Sequence, residues 1–219
     1  MLWHEIGAQL RHPTGVGGWA IGHFMRLVNA RTNRLAVDRL DISSHSTVLE
    51  LGCGPGHGIA LAARRAGTVY GLDQSAAMLR QARRRNRRLV ERGRVMLREA
   101  HFNALPVESK SIDCALAVNV IYFWRDMMPV AAELRRVLKP GGKLAIYATS
   151  RESMRGWKFA TSATHRLFDE NDLLDALQAE GFDGCEISVS KVKVARHIDG
   201  LIAEVTMPVH EAPMSPAER

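Results

Sequence analysis

The stretch Val48-Leu49-Glu50-Leu51-Gly52-Cys53-Gly54-Pro55-Gly56-His57-Gly58 constrains this chain more than any other. A strand, Thr47–Leu51, passes directly into alternating glycines at 52, 54, 56 and 58, and a helical pattern over His57–Ala66 follows. Its Val48, Leu49 and Leu51 mark it as buried. Glycines directly after it let the backbone turn tightly and let a ligand approach the main chain. A plain strand-to-helix turn needs fewer of them, so the spacing points to a bound ligand. It also discriminates among ligands. A dinucleotide fingerprint requires G-x-G-x-x-G, and here the last glycine position falls on His57 or Ile59. A P-loop requires Gly-Lys-Ser/Thr, which does not follow.

The rest of the chain repeats the alternation. Thr68–Leu72, Val95–Glu99, Ile112–Val118 and Leu144–Tyr147 read as strands. Ser75–Arg88 reads as a helix, and so does the segment in which Val130, Leu134, Val137 and Leu138 share one face before Pro140-Gly141-Gly142. Asp169 is placed to cap a helix that runs to Glu180 and stops at Gly181. Ile187–Val194 and Gly200–Val205 are joined by a link too short for a helical crossover, so they pair antiparallel. Five alternating units and a closing hairpin predict an open α/β sheet of about seven strands, mostly parallel, with helices on both faces. In such sheets ligands bind beyond the carboxyl ends of the strands. Residues 1–44, loop-like to Gly18 and helical from Trp19 to Leu40, stand before this core as a lid segment, and 45–219 form the core.

Asp73 ends the second strand, about twenty residues beyond the first glycine, where a carboxylate can accept both hydroxyls of a ribose. Taken alone it could equally cap the next helix. Together with the glycine loop it brings a family into view. Glu50-Leu51-Gly52-Cys53-Gly54-Pro55-Gly56 resembles motif I of the class I S-adenosylmethionine (SAM)-dependent methyltransferases, and Asp73 their ribose-binding acid. Leu105-Pro106-Val107 with Ser111-Ile112-Asp113, Arg136-Val137-Leu138-Lys139-Pro140-Gly141-Gly142, and Glu180-Gly181-Phe182 are similar to their later landmarks, in the same order. The likeness covers roughly 45–207 and is nearest to enzymes that methylate quinones, sterols, lipids and natural products.

The resemblance implies a Rossmann-like core, SAM as cofactor, and methyl transfer to a small-molecule acceptor by in-line displacement. It places Gly52, Cys53 and Gly54 against the methionine part of SAM through their backbones, with Glu50 near its amino end. Asp73 takes the ribose, with Gln74 beside it, and Asn119 touches the methionine portion. The family's adenine-reading acid is replaced by His101, so that a ring nitrogen of His101 meets the adenine, or Phe102 packs on it. The segment Asn119–Trp124 forms the floor of the acceptor site, with its aromatics either core or site. Tyr122 and His165 are the candidate catalytic residues, and Arg11, His23, Trp124 and Trp157 the candidate acceptor contacts.

Composition narrows the remainder. No apolar run approaches the roughly 18–20 residues of a membrane span. The sparse cysteines, Cys53, Cys114 and Cys185, have no metal-binding spacing and suit a reduced, cytoplasmic setting. The net charge of +7 draws heavily on the stretch Arg80–Arg98, which reads as the wet face of a helix because no aromatics interleave to stack bases. RNA methylation and non-methylating SAM chemistry are the competing readings. The sequence leaves the oligomeric state undetermined.

Overall fold

A computed structural model describes residues 30–124, 126–157, 160 and 165–209. Helix α1 occupies 30–37. Strand β1 (Thr47–Leu51) leads through the glycine loop to α2 (His57–Ala62), β2 (Thr68–Asp73), α3 (Ala76–Arg85), α4 (Arg87–Glu91) and β3 (Val95–Glu99). Then come β4 (Ile112–Val118), a single 3-10 turn (Ile121–Phe123), α5 (Met128–Val137), β5 (Leu138–Thr149) and α6 (Arg151–Met154). The chain continues through α7 (Glu170–Ala179), β6 (Glu186–Ala195) and β7 (Ile198–Thr206).

One seven-stranded sheet runs in the order β3-β2-β1-β4-β5-β7-β6. β1 pairs parallel with both β2 and β4, β2 with β3, and β4 with β5; β7 is antiparallel to β5 and to β6. The chain moves outward from β1 to β3, then returns to start again at β4. The strand order therefore reverses between β1 and β4, and the crevice at that switch point is where ligands bind in open α/β sheets.

Each face of the sheet has its own apolar layer. On one, Leu49, Leu51, Ala115 and Ile146 pack with Val130, Leu134 and Val137 of α5 and Leu173 and Leu177 of α7. On the other, Val48, Val69, Leu116 and Tyr147 pack with Ala36 and Val37 of α1 and Ile59 and Ala62 of α2. Part of the N-terminal lid segment expected from the sequence is thus built into the core. Helix α7 begins with a reciprocal capping box, in which Asp169 accepts from the Asp172 amide and Asp172 from the Asp169 amide, each at 3.0 Å.

Three expectations need correction. The helix expected over Ser75–Arg88 breaks at Asn86, whose buried amide donates to Ala82 O and Gly56 O, both at 3.0 Å. The helix before Pro140 ends at Val137; β5 starts at once, and Pro140-Gly141-Gly142 lie where the β4–β5 register slips between Ile112 and Cys114. Arg94 leaves the solvated arginine face and turns inward, donating to Ala63 O at 3.0 Å, Ala66 O at 2.5 Å and Gly67 O at 3.3 Å, which satisfies carbonyls just beyond the end of α2.

Candidate cofactor and acceptor site

The loops after β1, β2, β3 and β4 surround one cavity of about 360 Å³ at the switch point, within the usual range for small-molecule sites. Gly52, Gly54, Asp73 and Gln74 line one end, with Met78 from the start of α3. His101, Phe102 and Asn103 close the side beyond β3. Val118, Asn119 and Val120 form the middle wall. Phe123, Trp124 and Asp126, with Pro129 and Val130 of α5, complete the far end.

The glycines serve different purposes. Gly52 has φ +65°, and a side-chain carbon there would lie 2.7 Å from Val120 Cγ2, so it is needed for packing. Gly54 has φ +51°, and a carbon there would meet nothing within 4 Å. Gly54 lines the cavity, and its bareness keeps room for a ligand against the backbone. The Asp73 carboxylate braces this loop, accepting from the Gly54 amide and from the Ser75 amide, each at 2.8 Å. It does not cap α3; Ser75 does, accepting from the Met78 amide. Burial raises the Asp73 carboxyl above its ordinary range, against the pull of the Ser75, Gly54 and Gln74 amides.

Beneath the loop lies a second acid. Glu50 is 2% exposed, and its Oε2 has no hydrogen-bond partner. Burial, reinforced by the neighbouring Asp73, pushes its carboxyl far above the ordinary glutamate range, and the Ile59 amide only partly opposes this. Gly58 makes room for it, since a side-chain carbon there would sit 2.2 Å from Glu50 Oε1.

At the end of β4, Asn119 adopts a left-handed backbone, φ +55°, which asparagine tolerates better than most residues. Its Oδ1 accepts from the Tyr122 hydroxyl at 2.8 Å. The Thr149 amide donates to that same hydroxyl, and Thr149 Oγ1 lies 3.4 Å from Asn119 Oδ1. Tyr122 is buried, and burial holds its phenol well above the ordinary tyrosine range. Behind it, the buried His165 ring packs 5.7 Å from Tyr122 and 4.9 Å from Phe123, centroid to centroid.

A family model described as "Methyltransferase domain" matches residues 49–146, the span that carries this cavity's loops. Residues 49–146 are thus a methyltransferase domain of the class I SAM-dependent kind. It is 29% identical over 174 residues to the uncharacterized methyltransferase YdaC of Bacillus subtilis, covering 78% of this chain and 91% of that one. It is 31% identical over 176 residues to a malonyl-[acyl-carrier protein] O-methyltransferase of Methylovorus, covering 74% of this chain and 60% of the relative. Of other curated relatives it spans only 32% and 40% of the length. Among solved structures, the methyltransferase in complex with the Trm112 activator of Haloferax volcanii superposes with a TM-score of 0.74 at 19% identity, over 89% of this chain and 96% of that one. The cofactor of a domain of this family is SAM.

Against this methyltransferase fold the expected site residues divide. Gly52, Gly54, Asp73, Gln74, His101, Phe102, Asn119 and Trp124 all line the cavity. Cys53 and Glu50 do not. The Cys53 amide donates to Leu72 O, and its carbonyl accepts from the Gly56 amide, so its backbone is committed within the protein. Tyr122 and His165 stand behind the wall rather than on it, with Phe123 on the cavity side. Trp157 is half-buried against the α5–α7 core layer. Arg11 and His23 lie outside the described residues. Met78, Asn103, Asp126 and Pro129 also line the cavity: Met78, Asp126 and Pro129 because the starts of α3 and α5 face the crevice, which only the strand order reveals, and Asn103 because it lies in the loop after β3.

The residues present suit SAM. A bare glycine face at Gly54, a braced carboxylate at Asp73 and an aromatic at Phe102 offer a ligand with a ribose and a base the contacts each part needs.

Proposed function

We propose that this methyltransferase transfers a methyl group to a small-molecule acceptor by in-line displacement, in the cytoplasm. The observation that carries the reading is the continuity of one cavity, from the glycine loop and Asp73 at one end to Phe123, Trp124 and Asp126 at the other. SAM, when bound, supplies a methyl group that is already activated. The protein's part is therefore to position and desolvate.

Asp73 accepts the ribose hydroxyls, Gln74 lies beside it, and His101 or Phe102 meets the base. Gly52 and Gly54 present bare backbone to the methionine portion, and Asn119 forms the wall next to it. Phe123 and Trp124 exclude water at the acceptor end and offer aromatic faces near a cationic sulfonium. Arg11, His23 and Trp157 stand as the acceptor contacts of this reading. A buried phenol held far above its ordinary range makes Tyr122 a poor general base. A site built on positioning suits an acceptor that arrives ionised, such as a carboxylate, and the O-methyltransferase among the relatives supports that class.

The test is incubation with SAM and a panel of small carboxylic acids, phenols and amines, followed by mass analysis. The reading requires a product heavier by one methyl group and stoichiometric S-adenosylhomocysteine (SAH). Tight SAM binding with an acceptor rearranged but not methylated would instead establish non-methylating chemistry.

A further inference from the structure

Asn119 stands at the one point of the cavity wall where a non-glycine residue holds a left-handed backbone at a strand end. That conformation turns the chain sharply out of β4, at the switch point itself. Side chains rarely hold such a geometry unassisted, and the surroundings supply the assistance. The Tyr122 hydroxyl donates to Asn119 Oδ1 at 2.8 Å. It cannot swing away, because the Thr149 amide donates to the phenol oxygen and the ring is wedged between buried neighbours, His165 among them. Thr149 Oγ1 reaches the same carboxamide oxygen at 3.4 Å. The Asn119 amide also takes up the Tyr147 carbonyl at 2.9 Å, tying the turn to β5.

We infer that Tyr122 is a positioning residue. With Thr149 it locks the Asn119 carboxamide by its oxygen, so that the orientation of Asn119 on the cavity wall is set before the cofactor's methionine portion arrives. The inference rests on the cavity being the SAM site. It replaces a chemical role for the phenol with a geometric one: the hydroxyl's proton is spent on Asn119 Oδ1, its oxygen receives the Thr149 N–H, and the residue never touches the reactants. Preorganisation of this kind lowers the ordering cost of binding.

The lock has a signature that general packing lacks, because Tyr122 acts through one partner. SAH binding is measured by calorimetry for the wild type, Tyr122→Phe, Asn119→Ala and the double variant. Tyr122→Phe, which keeps the ring, should weaken SAH binding about three- to tenfold, the loss of one well-placed hydrogen bond. Asn119→Ala should weaken it at least as much. The double variant should bind no worse than Asn119→Ala alone, since without the carboxamide the hydroxyl has nothing to orient. In nitrogen-labelled protein, the side-chain amide resonances of Asn119 should shift in Tyr122→Phe before any ligand is added. If Tyr122→Phe does not fold, Thr149→Val removes the second donor to the same oxygen, with a smaller loss that should likewise vanish in the Asn119→Ala background. A Tyr122→Phe protein that binds SAH as the wild type does, or losses that simply add in the double variant, would overturn the inference. A wild type that binds neither SAM nor SAH overturns the cofactor reading, and the lock with it.

Discussion

Glu50→Gln should make the ligand-free protein more stable, by an amount that grows with pH. In the folded chain the Glu50 carboxyl is buried, its Oε2 lacks a partner and Asp73 lies nearby, so it keeps its proton far above the ordinary value of 4.5. In the unfolded chain it ionises near that value. Above pH 4.5 the folded state therefore binds one more proton than the unfolded state, and stability falls by about 1.4 kcal/mol per pH unit from this group alone. The fall ends where pH reaches the folded value. Glutamine keeps the shape and does not titrate. The difference between variant and wild type should thus open with rising pH from about pH 5, at up to about 1.4 kcal/mol per unit until the folded value is reached, added to a pH-independent offset from the new amide. Asp113, Glu133 and Glu180, which partners hold below their ordinary values, favour folding in the opposite sense, but both proteins share them and they cancel. Urea unfolding of both proteins at unit steps from about pH 5 to about pH 8 measures the slope. Parallel stability curves would refute the reasoning, since they would mean that Glu50 ionises as readily in the fold as in water.

Gly54→Ala should fold with a loss of about 1–2 kcal/mol from its left-handed backbone, yet lose SAH binding in calorimetry, because its new carbon enters the cavity. Gly52→Ala should carry the same left-handed cost and add about 1–3 kcal/mol through overpacking on Val120, seen as a urea midpoint below that of Gly54→Ala; equal midpoints would contradict the division of labour between them. Asn86→Ala should cost about 1–3 kcal/mol by removing two side-chain hydrogen bonds, to the Gly56 and Ala82 carbonyls, which keep their backbone donors at Ala60 and residue 86, and thermal unfolding checks this directly. Reversing Arg83, Arg84 and Arg88 to Glu should leave SAH affinity unchanged and abolish the weak, salt-sensitive RNA binding expected of such a surface; a wild type that holds RNA tightly at physiological salt would instead revive the nucleic-acid reading.

What the sequence made legible was what local chemistry decides. The apolar run into β1, the Asp169 cap, the short link between β6 and β7 and the carboxylate closing β2 each follow from neighbours a few residues away. What it hid depends on distant parts of the chain or on the sign of one dihedral angle. Cys53 sits between two cavity-lining glycines but is turned inward, because positive φ at Gly52 and Gly54 reverses the chain on either side of it. Tyr122 and Phe123 are adjacent, yet the 3-10 turn at Ile121–Phe123 sends one behind the wall and the other onto it. Asn86 read as one polar residue in an arginine-rich helix, and its task lies thirty residues upstream, at Gly56. The α1 residues Ala36 and Val37 read as the end of a lid and prove to be core, because only the folded sheet shows which surface they cover.

Asn86, between α3 and α4, binds the Gly56 carbonyl at the turn into α2, and Arg94 binds carbonyls beyond the end of α2, so the arginine stretch flanks α2 from the glycine loop toward the far end of the sheet. Asp73 and Asp126 occupy the cavity end. The arginine flank carries much of the positive charge behind the overall +7. SAM carries a net positive charge, and SAH carries none. A cation approaching along the flank meets repulsion that it escapes at the acid-lined cavity. The departing product feels neither. Arrival and release therefore answer differently to salt, which screens the charges that the cation meets and leaves the neutral product's departure unchanged.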